Sequence, residues 1–565
     1  MPRAALLRLE EIDKEYRGKS LLRGASLEIF DGERCALVGR NGCGKSTLIR
    51  MILSQDEPDD GSVVYRRGIR AVLMPQEHEF GAGLTPADAM SRSEIVCLGP
   101  ESEPRALERE IPDERWRKLA DSVAFPMDAL GRGCDELSGG ERTKIALVRA
   151  LSLAADCDLL IMDEPTSHLD IPSMEWIERR VNELKCTVLM VSHDRYFMDA
   201  AAQRVLAFED SQIRSYGGNY SDYWAKLENE RRLARTAYEK QQAEINRLRD
   251  SIEEMKRRWG YDTKFKTKEK QLERIELVDA PKEEKKGASM RFPHREKSGR
   301  EVMSFENVSF AWGDRPVLMD ASFTIEVGEK IGLIGTNGSG KSTIAKLAMQ
   351  RVSPDSGRVR IIGKTIPGYF AQEHEGLNAE HTPVEEIQGQ RPEMSSDTVK
   401  GLLSAFMLGE RERASKVGQL SGGERARLAL LKLVLSETNL LILDEPTNYL
   451  DTQSKHAVEE ALKSYGGAVL LVTHDRYLLD RVATRIFALR DGQIEQFPGN
   501  YTAFKNHRPM TVRGDRRRRY RVEKKYKDWA SGQSYAPGQV LSLTPEEEER
   551  HRWAIENRAF VLEED

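Results

Sequence analysis

The feature that most limits how this 565-residue chain can fold is a series of phosphate-loop and acidic motifs that runs twice in the same order. Gly39-Arg40-Asn41-Gly42-Cys43-Gly44-Lys45-Ser46-Thr47 is matched by Gly335-Thr336-Asn337-Gly338-Ser339-Gly340-Lys341-Ser342-Thr343, each of the form GxxxxGK[ST]. Leu137-Ser138-Gly139-Gly140-Glu141 is matched by Leu420-Ser421-Gly422-Gly423-Glu424, and Asp163-Glu164-Pro165-Thr166 by Asp444-Glu445-Pro446-Thr447. Ordered repetition of this kind implies two α/β domains of one type in tandem.

Spacing shows where the copies differ. Lys341 follows Lys45 by 296 positions, and Gln372 follows Gln76 by the same 296. Ser421 follows Ser138 by 283, whereas Glu445, His474 and Asn500 follow Glu164, His193 and Asn219 by 281. The first copy therefore has 13 extra residues between its Gln and its Leu-Ser-Gly-Gly-Glu, and 2 more before its acidic pair. The larger excess falls around 91–110, a mixed-charge stretch with Gly99, Pro100 and Pro104 that reads as an exposed insertion.

Local patterns place the motifs. Arg34–Val38 and Lys330–Ile334 read as short apolar strands, and Thr47–Leu53 and Thr343–Met349 as helices, so each Gly-rich loop joins a strand to a helix. There, backbone N–H groups of Gly39, Asn41, Gly42, Gly44 and Thr47, or of Gly335, Asn337, Gly338, Gly340 and Thr343, can cradle phosphates at the positive helix end. Lys45 and Lys341 reach the β- and γ-phosphates, and Ser46 and Ser342 place a hydroxyl on Mg²⁺. Leu159–Met162 and Leu440–Leu443 are continuous apolar runs, as in parallel strands buried on both faces. Each ends in an acid suited to an outer contact with Mg²⁺, Asp163 or Asp444, then in one suited to polarising water, Glu164 or Glu445. Strands at Thr187–Val191 and Ala468–Val472 deliver His193 and His474, each 29 residues after its Glu, to the same sheet edge.

Composition excludes some classes. A net charge of −5 argues against a uniformly cationic nucleic-acid binder. The six cysteines form no CxxC pair, so no zinc or iron–sulfur site is expected, and scattered thiols suit a reducing, cytoplasmic compartment. The first ten residues are interrupted by charge too soon for a signal sequence, and no apolar run reaches 18 residues, so no membrane span is expected.

Both halves resemble ATP-binding-cassette (ABC) nucleotide-binding domains of the P-loop class. The resemblance implies that ATP is sandwiched between one cassette's phosphate loop and the signature of the other, Ser138, Gly139 and Gly140 or Ser421, Gly422 and Gly423. A tandem chain supplies both cassettes, so a monomer with an intramolecular pair is expected. By the same likeness Gln76 and Gln372 are Q-loop residues near the metal, and Ser167-His168-Leu169-Asp170 and Asn448-Tyr449-Leu450-Asp451 are the D-loops. Tyr16 and Trp312, each 29 residues before its Lys, match the adenine-stacking aromatic.

Between the cassettes, positions spaced alternately 3 and 4 apart from Trp224 to Trp259 are apolar or aromatic at nine of eleven, the pattern of a coiled-coil seam. A helix over 222–258 would reach roughly 55 Å at 1.5 Å per residue. Gly260 breaks it, and a shorter helix near 263–278 folds back as a hairpin. Eight basic residues against three acidic ones lie between Lys256 and Arg274. Lys256, Arg257, Arg258, Lys264 and Lys266, with Trp259 and Tyr261 at the turn, suit an RNA contact; a solvated coiled-coil tip is the alternative.

Tandem cassettes joined by such a hairpin resemble the ABC-F family. That resemblance implies binding to the ribosome, near ribosomal RNA and peptidyl-tRNA at the exit site, in ordinary translation or in antibiotic protection. Ser167 and Tyr449 depart from the usual D-loop, and the 13-residue excess is too short for the arm of some members. The competing class is a tandem ATPase subunit of a membrane transporter; DNA-repair ATPases are disfavoured by the missing zinc cysteines, so no DNA partner is expected. The expected division is 1–221 and 301–505 for the cassettes, 222–300 for the linker and 506–565 for a charged extension. In that extension nine of the fifteen residues 513–527 are basic, and block charge of this kind reads as a disordered interaction tail.

Overall fold

The computed structural model describes residues 4–16, 18–39, 42–76, 78, 80–81, 83–99, 102–259, 266–273, 299–371, 376–406, 408–436, 438–448, 450 and 452–507, with 518–522, 526–527, 534–535, 537, 539–543 and 560–562. Contacts divide the chain into two compact units, residues 1–64 with 189–507 and residues 65–188 with 508–565.

The second cassette lies wholly in the first unit. Its six-stranded sheet runs Pro367–Phe370, Leu440–Asp444, Ala468–Val472, Lys330–Gly335, Arg485–Arg490, Gln493–Pro498. All neighbours are parallel except the last pair, an antiparallel hairpin. Every residue of Leu440–Asp444 and of Ala468–Val472 is buried, as the unbroken apolar runs require of strands covered on both faces. A separate antiparallel sheet, ordered Arg315–Glu326, Glu301–Trp312, Ser356–Ile361, packs Phe305 and Phe323 with ring centroids 4.3 Å apart, and Phe323 meets Phe487 of the parallel sheet at 5.0 Å. That stack joins the two sheets into one core.

The same unit holds the ends of the first cassette. Lys19–Phe30 pairs antiparallel with Ala5–Tyr16, and Arg34–Val38 runs parallel to Arg204–Glu209, which turns into Gln212–Gly217. A 40-residue helix, Tyr220–Trp259, follows. Its seam is buried at Leu227, Ile245 and Ile252 but exposed at Arg231 and Ala234. Near its start Trp224 stacks on His456 of the second cassette, ring centroids 5.7 Å apart. A second helix, Lys266–Glu273, is described in part; Gly260, Tyr261 and Lys264 lie outside the described residues, as do the side chains of Lys256, Arg258, Trp259 and Lys266.

In the second unit, Leu159–Asp163 runs parallel to Ile69–Met74. The stretch expected to be an exposed insertion is a β-hairpin: Arg92–Gly99 pairs antiparallel with Ile69–Met74 on one side and with Ser102–Glu110 on the other. Ser93 and Ile95 are buried while Arg92 and Glu94 face solvent, a two-residue period that covers only 92–95 and is out of phase with the buried Leu98, so the flanking Gly and Pro outweighed it. A second correction concerns the basic tail. Arg518–Val522 forms a small antiparallel sheet with Val540–Leu543 and Phe560–Leu562, and Val522 is fully buried. Arg519-Tyr520-Arg521-Val522 alternates charged with apolar residues, which is strand chemistry within a charge block.

All six cysteines are free. No helix among the described residues is long and apolar enough to cross a membrane.

Candidate active site

The complete site in one unit is that of the second cassette. Lys330–Gly335 ends at the phosphate loop, and Lys341–Ala348 begins with Gly340 as its N-cap at φ 107°, a left-handed conformation that favours glycine. A Cβ on Gly335 would lie 2.8 Å from Ser339 Oγ and 2.9 Å from Leu489 O, so this glycine keeps the loop tightly folded. Lys341 Nζ donates to Gly335 O at 3.1 Å and Thr336 O at 2.9 Å, which bends the ammonium over its own loop. Asn337 and Gly338 are exposed at the loop crest, and Thr343 is buried at the helix start.

Two carboxylates meet this loop from the end of Leu440–Asp444. Asp444 is raised above the usual carboxylate range because burial disfavours its charge, against the Ser342 hydroxyl hydrogen bond and the nearby Lys341 ammonium that favour it. Glu445 is raised to about 7, chiefly by burial, with Lys341 pulling it down and Asp444 pushing it up. Oδ1 of Asp444 and Oε1 of Glu445 are buried and have no hydrogen-bond partner among the described residues. The donor set fits Mg²⁺: one hydroxyl and one carboxylate side by side, with a buried acceptor to spare, which phosphate oxygens and water would complete.

The turn after the strand aims the second acid. Glu445 has φ 50°, its N–H donates to Val472 O at 2.8 Å, and Asn448 N–H returns to Glu445 O at 3.2 Å. A non-glycine residue held there stores strain, and such strain clusters at sites where geometry is imposed by function. The backbone bond to Val472 ties the acid to the strand that leads to His474. His474 Nε2 lies 3.7 Å from Glu445 Oε1, and Thr473 Oγ1 donates to Oε2 at 3.4 Å.

Trp312 is 53% exposed, and its Nε1 donates to Thr343 Oγ1 at 3.2 Å, which brings the ring to the phosphate-loop helix. Its counterpart Tyr16 is 49% exposed at the end of Ala5–Tyr16. Neither is a core residue, as an adenine-stacking role requires. Ser421 caps Gly422–Val434: its Oγ accepts from Glu424 N–H at 3.4 Å while Glu424 Oε2 accepts from Ser421 N–H at 2.8 Å. Leu-Ser-Gly-Gly-Glu is thus a capping box that fixes Gly422 and Gly423 in the first turn of a helix whose N-terminus favours anions. Gln372, Tyr449 and Asp451 lie outside the described residues.

The first cassette's residues are divided between the units. In one, Gly44 caps Lys45–Ile52 at φ 116°, Lys45 Nζ donates to Gly39 O at 2.8 Å, Gly42 has φ 70°, Ser46 is exposed, Thr47 is buried, and His193 follows Thr187–Val191; Asn41 lies outside the described residues. In the other, Asp163 and Glu164 are buried at the end of Leu159–Asp163, and Glu164 repeats the left-handed turn at φ 52°. Gln76 is exposed two residues beyond Ile69–Met74. Ser138 and Glu141 repeat the capping box ahead of Gly139–Leu153, which contains Gly140, and a Cβ on Gly139 would touch the His168 ring at 3.3 Å.

Sequence reasoning missed Asp194, Arg195, Asp475 and Arg476, which follow the two histidines and carry an ion-pair cluster. Their signal was present, because His-Asp-Arg-Tyr recurs at the 281-residue spacing.

Comparison with known proteins agrees with this architecture. A family described as ABC transporter matches residues 22–167 and 318–448, and a second family of the same description matches 206–292. The chain is 33% identical over 542 residues to ABC transporter F family member 5 of Arabidopsis thaliana, covering 88% of this chain and 77% of that protein. It is 31% identical over 566 residues to the putative ATP-binding protein YdiF of Bacillus subtilis (strain 168), covering 92% and 88%. A solved structure titled RNase-L Inhibitor superposes with a TM-score of 0.62 over 96% of this chain and 98% of that one, at 19% identity. Another, titled as a model of ribosome-bound archaeal Pelota and ABCE1, gives 0.58 over 95% and 85%, also at 19%. Two ABC ATPase domains of this kind in one chain, with F-family relatives along most of its length, place the protein in the ABC-F family of tandem ABC ATPases.

Proposed function

We propose that this protein hydrolyses ATP at two sites, binds the ribosome in its ATP-closed form and leaves when hydrolysis opens it. The observation that carries the catalytic half is the second-cassette cluster: a phosphate loop, the Ser342–Asp444 pair and a buried Glu445 facing His474. Lys341 and the loop N–H groups bind and orient the phosphates. Mg²⁺, held by Ser342 and Asp444, would neutralise phosphate charge. Glu445 orients the attacking water as an acceptor and His474 donates toward the γ-phosphate. By sequence correspondence, Lys45, Ser46, Asp163, Glu164 and His193 are the first cassette's candidates for the same roles.

For the ribosome, support comes from the F-family relatives and from the ribosome-bound neighbour of similar fold. The 40-residue helix between the cassettes supplies reach, and the basic tip suits contact with ribosomal RNA or peptidyl-tRNA at the exit site. Action in translation or in antibiotic protection follows from that location. A transporter's ATPase subunit shares the ATP motifs but has no use for so long a helix between its cassettes.

The test is sedimentation with ribosomes. Glu164→Gln with Glu445→Gln should co-sediment in ATP and not in ADP. Co-sedimentation independent of nucleotide, or none, would refute the reading.

A further inference from the structure

The His-Asp-Arg-Tyr repeat does more than deliver two histidines. Both copies, 193–196 and 474–477, lie in one compact unit, and their arginines cross over. Arg195 sits over the Tyr477 ring at 3.9 Å, and Arg476 over the Tyr196 ring at 5.0 Å. Arg195 forms an ion pair with Glu459 of the second cassette, and Arg476 Nη2 donates to Asp194 Oδ2 of the first at 3.0 Å. Tyr196 and Tyr477 meet edge to face at 6.1 Å, and the Tyr196 hydroxyl donates to Asp480. Lys455 Nζ donates to the carbonyl of His193 at 3.1 Å and lies 3.5 Å from Asp475. Glu459 is 0% exposed and Arg476 1%.

The two arginine–tyrosine contacts are related by an approximate two-fold, whereas the ion pairs are not: Arg195 reaches Glu459 on the helix Thr452–Ser464, and Arg476 reaches Asp194 beside His193. Buried charges cannot be released singly without leaving a partner unpaired in low dielectric, so the contact resists pulling apart. Rings and guanidinium planes in face contact can still turn against one another.

We propose that this cluster is a pivot that couples the two ATP sites, with Arg195 and Arg476 as positioning residues that carry the state of one switch histidine to the other cassette. Arg195 lies two residues from His193, within about 7 Å of chain. Lys455 grips the His193 carbonyl directly. A shift of His193 at hydrolysis therefore moves groups packed on Tyr477 and Glu459, and a shift of His474 moves Arg476 against Tyr196. Coupling of this kind is reciprocal and is typically 5- to 150-fold, or roughly 1–3 kcal/mol.

The inference rests on the reading of His193 and His474 as residues of the ATP sites. Site occupancy is read by 8-azido-ATP photolabelling resolved by peptide. The coupling factor is the ratio of half-saturating concentrations at the first site between chains with Lys341→Ala and with Glu445→Gln. A factor of about fivefold or more is expected. It should fall below twofold in Arg195→Met with Glu459→Met, a volume-matched apolar pair that preserves packing, and in the separate variant Tyr477→Leu. Saturated hydrolysis per site should persist in both. An unchanged factor in both, or no coupling in the parent, overturns the pivot. His193→Ala and His474→Ala run in parallel: parental hydrolysis in these would sink the reading of the histidines instead.

Discussion

His474 holds its Nε2 3.7 Å from Oε1 of Glu445, and both side chains are nearly buried at the end of the parallel sheet. The separation is slightly long for a direct hydrogen bond between the two side chains. Under the proposed function Glu445 carries the stronger demand, because its carboxylate would accept from the attacking water. Replacing it with Gln in both cassettes, with Glu164→Gln, should lower ATP hydrolysis by about 10²- to 10⁴-fold while ATP binding persists. Phosphate release and nucleotide retention on one preparation decide the matter.

The two phosphate loops should differ in their tolerance of one added methyl. A Cβ on Gly340 would lie 2.0 Å from Val317 Cγ1, whereas one on Gly44 would lie 3.4 Å from Leu21 Cβ. Both backbones are left-handed, so alanine strains each by about 1–3 kcal/mol. The clash adds to that only in the second cassette. Gly340→Ala should abolish labelling at the second site, and Gly44→Ala should weaken the first by roughly tenfold.

Trp312 should contribute through its face. Trp312→Leu removes the stacking surface and the bond to Thr343, and should weaken ATP at the second site by about 1 kcal/mol, or roughly fivefold. Replacement by Tyr should restore most of it. Titration with a fluorescent ATP analogue measures both.

Acid should weaken the interface near Asp475. Burial alone would raise this carboxyl, but Lys455 and Arg195 more than offset it and hold it below the usual range. A lowered folded value means that its stabilisation is complete above the unfolded value of about 3.9 and is lost as pH falls through the folded one. Asp475→Asn should therefore cost about 1–3 kcal/mol at pH 7, and the gap to the parent should shrink as pH falls toward 3. Urea midpoints across that range report it.

Much of this was legible in the chain. Arg34–Val38, Thr187–Val191 and Ala468–Val472 fall where their apolar runs place them, and the long helix extends by only one or two residues at each end. Such elements declare themselves because burial on a fixed period selects their residues directly. The left-handed turns at Glu164 and Glu445 were not legible, since nothing in Asp-Glu-Pro-Thr marks a positive φ. The Arg195–Glu459 pair joins residues 264 apart, a contact that no local pattern encodes. The strand Arg518–Val522 was hidden for another reason: its charge outweighed its alternation.

The hairpin of the first cassette ends its sheet in a particular way. Along Ser102–Glu110 the described outer side chains include Arg105, Glu108, Arg109 and Glu110, all exposed and of mixed sign. An outer strand presents unpaired backbone donors and acceptors to any other extended chain, and closely set charges make such docking unfavourable. The added segment thus acts as a molecular bumper: it lengthens the sheet yet discourages stacking of one copy on the next in a crowded solution.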